Sequence, residues 1–190
     1  MLDRRLIALI TVLGTLPATV ALADKYTDTI KIFRDAGQSA KFFDTSYGYA
    51  VFPSIGKGGL GIGGAHGSGR VYEKDAYVGN TSMTQVTVGF QFGGQAYRQI
   101  VFFQDKRAFD EFTSGNFEFG AQATAVALTA GASAQASTAG GVGTSASDKD
   151  THAKTTGGYQ KGMAVFTVAK GGLMYEATIG GQKFSYKPKK

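Results

Sequence analysis

The chain has 190 residues, a net charge of +6 and no cysteine. That length suits one domain with a real core and is short for two. The missing cysteines exclude disulfides, and they also exclude the acylated cysteine of a bacterial lipoprotein.

Residues 1–23 read as a signal peptide: Arg4-Arg5, an apolar run from Leu6 to Leu13, and Ala21-Leu22-Ala23 at the cleavage positions. Gly14 and Pro17 interrupt the run, which is shorter than the ~20 residues a spanning helix needs. The expected product is an exported chain starting at Asp24, in the periplasm or on the outer cell surface. Residues 24–190 are then a single domain.

Residues 25–36 predict a helix, with Tyr26, Ile30 and Phe33 on one face and Gly37 as its stop. Two near-copies of one phrase follow, far apart in the chain. Gly48-Tyr49-Ala50-Val51-Phe52 leads to Lys57-Gly58-Gly59-Leu60, and Gly162-Met163-Ala164-Val165-Phe166 leads to Lys170-Gly171-Gly172-Leu173. Each predicts a strand, a Lys-Gly-Gly turn and a returning strand, so that one hairpin is used twice within one core. The matching turns place Lys57 and Lys170 in equivalent positions.

Thr84 to Phe92 alternates Val86, Val88, Phe90 and Phe92 with polar residues and predicts a half-buried antiparallel strand, its valines inward. Gly93-Gly94 turns it into a strand from Gln95 to Phe103. Asp105 caps a short helix with Phe109 and Phe112 on one face, and Gly115 ends it. Residues 119–147 are mostly Ala, Gly, Ser, Thr and Gln; a strand is expected over 128–136 and a flexible loop over about 138–156. Leu173 to Ile179 turns through Gly180-Gly181 into a last strand, Gln182 to Tyr186. The fold class is therefore β-rich α+β: a curled antiparallel sheet or barrel of glycine-rich hairpins, with an N-terminal helix and one short internal helix.

Charge is unevenly placed. Residues 24–153 carry 11 Lys/Arg against 12 Asp/Glu, whereas residues 154–190 carry seven lysines against Glu176 alone. That asymmetry points to an anionic partner. Nucleic acid is not expected, because an exported chain does not meet it and no arginine cluster interleaves with the aromatics.

The glycine run Gly59-Leu60-Gly61-Ile62-Gly63-Gly64 lacks the Gly-Lys-Ser/Thr of a phosphate loop and the helix that a dinucleotide fingerprint precedes. His66 and His152 stand in separate polar segments, which is poor evidence for a metal. Carboxylates do not cluster and no Ser/His/Asp set is spaced for catalysis. The expectation is a binding protein with no cofactor, not an enzyme.

Ser46-Tyr47-Gly48-Tyr49-Ala50-Val51-Phe52-Pro53-Ser54-Ile55-Gly56-Lys57-Gly58-Gly59 resembles the opening signature of the SYLF lipid-binding domain family. Gly63 to Gly69 is similar to its next turn, Val88 to Gln95 to its central strand pair, Phe117 to Ala121 to the strand that follows, and Gly162 to Leu173 to its final hairpin. The resemblance spans about residues 26 to 187. It implies binding of phosphoinositide-like or other anionic phospholipid headgroups, and its bacterial members are mostly exported envelope proteins. Eukaryotic members are tied to cortical actin, which an exported chain does not reach. Candidate lipid-binding residues are Lys57, Lys170, Lys183 and Lys187, flanked by Lys31 and Arg34 of the first helix. The partner is an anionic lipid or membrane surface; the alternative is an envelope protein module that pairs through an edge strand.

Overall fold

The computed structural model describes residues 24–89, 95–121, 123, 125–128, 158–170 and 179–190. The signal segment, the loop over 138–156 and the returning strand over 173–179 fall largely or wholly outside them, Ile179 alone being described. In chain order the elements are α1 (Lys25–Asp35), α2 (Gly37–Thr45), β1 (Gly48–Glu73), β2 (Ala76–Gly89), β3 (Gln95–Phe103), α3 (Lys106–Thr113), β4 (Val126–Leu128), β5 (Met163–Lys170) and β6 (Lys183–Pro188).

The strands form one sheet in the order β4-β5-β3-β1-β2-β6. All pairings are antiparallel except β4 with β5, which is parallel, and among the described residues the sheet does not close into a barrel. A straight strand of 26 residues would span about 86 Å. Instead β1 doubles back on itself. A methyl on Gly67 would lie 2.6 Å from Ile55, and one on Gly69 would lie 2.7 Å from the Phe52 ring, so the two arms run side by side. The reversal falls at Gly59, whose φ of +152° and close approach to Gly63 leave no room for a side chain. The hairpin expected at Lys57-Gly58-Gly59 is thus present, as a sharp bend within one continuous element. Its first arm pairs with β3 and its second with β2.

Both copies of the repeated phrase flank β3, each antiparallel to it. Their registers differ by one residue: Tyr49 faces Phe102 across one ladder, whereas its counterpart Met163 faces Phe103 across the other. A one-residue slip turns equivalent side chains to opposite faces of a sheet. Ala50 and Phe52 accordingly join the core on one face, and Ala164 and Phe166 the core on the other. This explains why Ile100-Val101-Phe102-Phe103 is a continuous apolar run, for β3 is buried on both sides.

The first face is covered by α3 and by the segment from Phe117 to Ala125. Asp105 caps α3 as expected, its carboxylate accepting from Ala108 N–H at 2.9 Å. Among the described residues, the second face is covered by α1 and α2 over β5, β3, the first arm of β1 and the Arg70–Tyr72 end of its second arm; Phe33 and Phe42 join Phe102 and Phe166 there. The first helix ends just before Gly37 as expected, and a second helix follows at once. The chain breaks at Ala36 and restarts as α2, because a second turn-rich segment carries Phe42 onto the aromatic cluster; Ser39 Oγ donates to the Phe33 carbonyl at 2.5 Å and joins the two helices.

Two expectations need correction. Val86 points outward and is 75% exposed, while Gln85 is buried and donates to the Gly180 carbonyl at 2.9 Å. Thr81, Met83 and Gln85 share one face of β2, and that face meets Ala65 and Val71 of β1, so the parity of the strand is fixed by Met83 and its partners and not by the valines. The segment Phe117 to Ala121 is extended rather than a named strand, with a single bridge from Glu118 to Lys183.

Candidate functional site

The register brings the two repeat lysines to one end of the sheet. Lys57 sits opposite Gln95 and Lys170 opposite Ala96, on either side of the start of β3. Alternation along the strands gives Lys57 the face of Ile55 and Tyr97 and gives Lys170 the face of Arg98 and Val168. The Lys170 ammonium is held below the usual lysine range, first by partial desolvation and then by the positive charges of Arg98 and Lys25. Arg98 of β3 and Lys25 of the first turn of α1 therefore each stand close enough to Lys170 of β5 to repel it. Lys25 also stands at the positive end of the α1 dipole, which Asp24 and Asp28 complement. An anion would relieve the repulsion at Lys170.

Among the described residues, nothing covers the second face beyond the helical layer. On the second arm of β1, on β2 and on β6 the outward residues include His66, Ser68, Thr84, Ser82, Lys183, Ser185 and Lys187, all partly or fully exposed. Ser82 and Ser185 share a hydrogen bond of 2.7 Å across the ladder. Toward the β1 bend the same face ends in two apolar side chains, Ile62 at 72% and Val86 at 75% exposure. Ile62 pairs with Val88 and Val86 with Gly64, which makes Ile62 and Val86 diagonal neighbours.

The remaining expected site residues are less available. Lys183 is paired with Glu118 at 3.5 Å, Lys31 with Asp35 at 2.5 Å, and Arg34 with Asp75 at 3.0 Å while stacking over Phe43. Lys187 lies farther along β6, opposite Asn80. The apolar side of α1 is turned inward: Tyr26 and Phe33 are buried and Ile30 packs against the same core. Arg70 bonds to Asp24, the α1 cap, and its guanidinium lies 4.0 Å from the Tyr26 ring, which pins the helix to the sheet. The helix is thus a structural cover in this state.

Acidic residues gather at the other end. Glu73 ends β1, Asp75 lies in the β1–β2 turn, and Asp105 caps α3, which carries Asp110 and Glu111 and follows the far end of β3. Among the described residues no group of three or more potential metal ligands is found. A cleft of about 460 Å³ between Glu118–Ala121 and Gly180-Gly181 has Glu118 as its one titratable lining residue, already tied to Lys183.

Sequence reasoning missed Lys25, Arg98, Ile62 and Val86. Arg98 carried a signal, being the one charged residue in the strand from Gln95 to Phe103. Ile62 and Val86 gave none, because their exposure depends on the parity of two strands.

The family described as Ysc84, Las17-binding protein actin regulator, matches residues 84–189, from within β2 to the last strand. A curated relative, Beta cell expansion factor A from Aeromonas veronii, is 28% identical over 162 residues, covering 83% of this chain and 52% of the relative. The chain thus spans about half the length of that relative.

Proposed function

The chain belongs to the Ysc84 family of Las17-binding actin regulators, and from that premise we propose that it is a non-catalytic, exported envelope protein that binds anionic phospholipid headgroups. The observation that carries this reading is the cationic end of the sheet, where Lys170 and Arg98 are diagonal neighbours on one face beside Lys57, Lys25 lies near enough to lower the Lys170 ammonium, and Glu73, Asp75 and the α3 acids lie at the opposite end. Each lysine near an anionic bilayer contributes on the order of 1 kcal/mol. The signal-like segment of residues 1–23 supports export to the periplasm or outer surface, where actin and Las17, which the family description names, are absent.

Edge-strand pairing has less support. The first half of β6 is already paired on its outer side, Phe184 N–H donating to Phe117 carbonyl at 2.8 Å and Phe119 N–H to Gln182 carbonyl at 3.0 Å. Pro188 ends that strand. Co-sedimentation with vesicles of phosphatidylcholine alone and with added phosphatidylglycerol tests the proposal. Binding to the anionic vesicles only, falling steeply with ionic strength, is expected; equal binding to both, or none to either, rejects it.

A further inference from the structure

We infer that the protein docks on an anionic bilayer end-on, with the β1 bend lowermost, and that Ile62 and Val86 enter the interface between headgroups and acyl chains. This rests on the lipid-binding reading above and adds which part of the molecule touches the membrane and how deeply. Among the described residues, Ile62 and Val86 are the two large hydrophobic side chains that stand exposed. They are diagonal neighbours on one face at one end of the sheet, so they form one patch and not two accidents.

Their neighbourhood identifies the occupant by charge. Val86 pairs with Gly64, next to the Gly63 that approaches Gly59 at the bend; Lys57, two residues before Gly59, reaches the same end of the sheet on its opposite face. Lys170 and Arg98 approach the same end of the sheet from β5 and β3, and Lys25 is close enough to depress the Lys170 ammonium. An apolar tip bordered by cations matches a surface that is apolar below and anionic above, which is a bilayer interface. A water-soluble anion would use the cations and leave the two hydrophobic side chains without a role. A second copy of this chain would bring like charges together around the tip, which is unfavourable.

The test uses the absence of tryptophan from the chain. A single reporter is placed as Ile62→Trp or Val86→Trp at the tip, and as Thr113→Trp on α3 at the far end. Each protein is mixed with phosphatidylcholine–phosphatidylglycerol vesicles, with and without bromine-labelled acyl chains. The expected result is a blue shift and bromine quenching for both tip reporters and neither effect for the Thr113 reporter, with Ile62→Ser/Val86→Ser binding about tenfold more weakly. Vesicle binding with the tip reporters unshifted overturns the inference and leaves the lipid-binding reading intact. Absence of vesicle binding by the unaltered protein overturns both. A blue shift that requires no vesicles and grows with protein concentration assigns the tip to self-association and also overturns it.

Discussion

Replacing Gln99 or Gln182 by leucine should cost several kcal/mol singly and much less together. Both side chains have no solvent exposure and lie in the core between the sheet and its α3 side. Gln99 Nε2 donates to Gln182 Oε1 at 2.9 Å, and Gln182 Nε2 donates back at 3.2 Å and to Tyr97 Oη at 3.3 Å. Removing Gln182 takes the partners from both the donor and the acceptor of Gln99, whereas removing Gln99 orphans the Gln182 carbonyl and leaves its amide only the Tyr97 hydroxyl. Each such orphan costs ~1–3 kcal/mol, so Gln182→Leu should destabilise by about 2–6 kcal/mol and Gln99→Leu by about half as much. The double replacement removes both amides and leaves two apolar side chains of similar size, with the Tyr97 hydroxyl as the main loss. The coupling energy should reach ~2–3 kcal/mol, favouring the pair. Urea unfolding followed by tyrosine fluorescence and circular dichroism measures all four corners of the cycle. Additive effects within ~0.5 kcal/mol would refute the reciprocal pair.

Two further outcomes follow from the same packing. Gly69→Val should destabilise by about 3 kcal/mol, because its Cβ would lie 2.7 Å from the Phe52 ring and 2.8 Å from the Val51 carbonyl oxygen, whereas Gly58→Ala, with open space around it, should be nearly neutral in the same urea assay. Tyr49 and Tyr97 have hydroxyls pushed above the usual tyrosine range, chiefly by burial and, for Tyr49, also by its bond to Asp75. Once pH passes about 10 the unfolded chain gives up these protons before the folded one does, so stability should fall as pH rises further. Tyrosinate absorbance should then show two late-ionising residues that titrate only as the protein unfolds; ionisation of all tyrosines near pH ~10 with the fold intact would contradict their burial.

Local chemistry was legible where one residue decides it. Asp105 as a cap, the Phe109/Phe112 face and the hairpin bend at Lys57-Gly58-Gly59 could all be read from sequence because glycine, capping side chains and helical spacing act within a few positions. The repeated phrase correctly indicated one shared sheet. Its one-residue offset was not legible, since the slip is set by β3 between the copies, and it is this slip that sends Lys57 and Lys170 to opposite faces. The turn at Lys74-Asp75 was missed because it contains no glycine; both residues take positive φ, at 47° and 67°, with Asp75 held by Tyr49 and Arg34. The outward Val86 was missed because alternation gives a period but not a direction. The lysines Lys183, Lys31 and Arg34 looked available in sequence and are engaged in ion pairs that only the fold creates.

The central claim is that one end of the sheet meets the anionic bilayer, and a charge-matched comparison tests it most directly. One variant carries Lys57→Gln, Arg98→Gln and Lys170→Gln; the other carries Lys74→Gln, Lys106→Gln and Arg107→Gln, three charges removed from the opposite end. At ~1 kcal/mol per cation, the first should bind phosphatidylglycerol-containing vesicles about a hundredfold more weakly at low salt, with unfolding midpoints showing both variants folded. The second should bind close to the unaltered protein. Equal losses in the two variants would mean that net charge alone attracts the membrane, and a loss confined to the second would place the binding surface at the wrong end of the molecule.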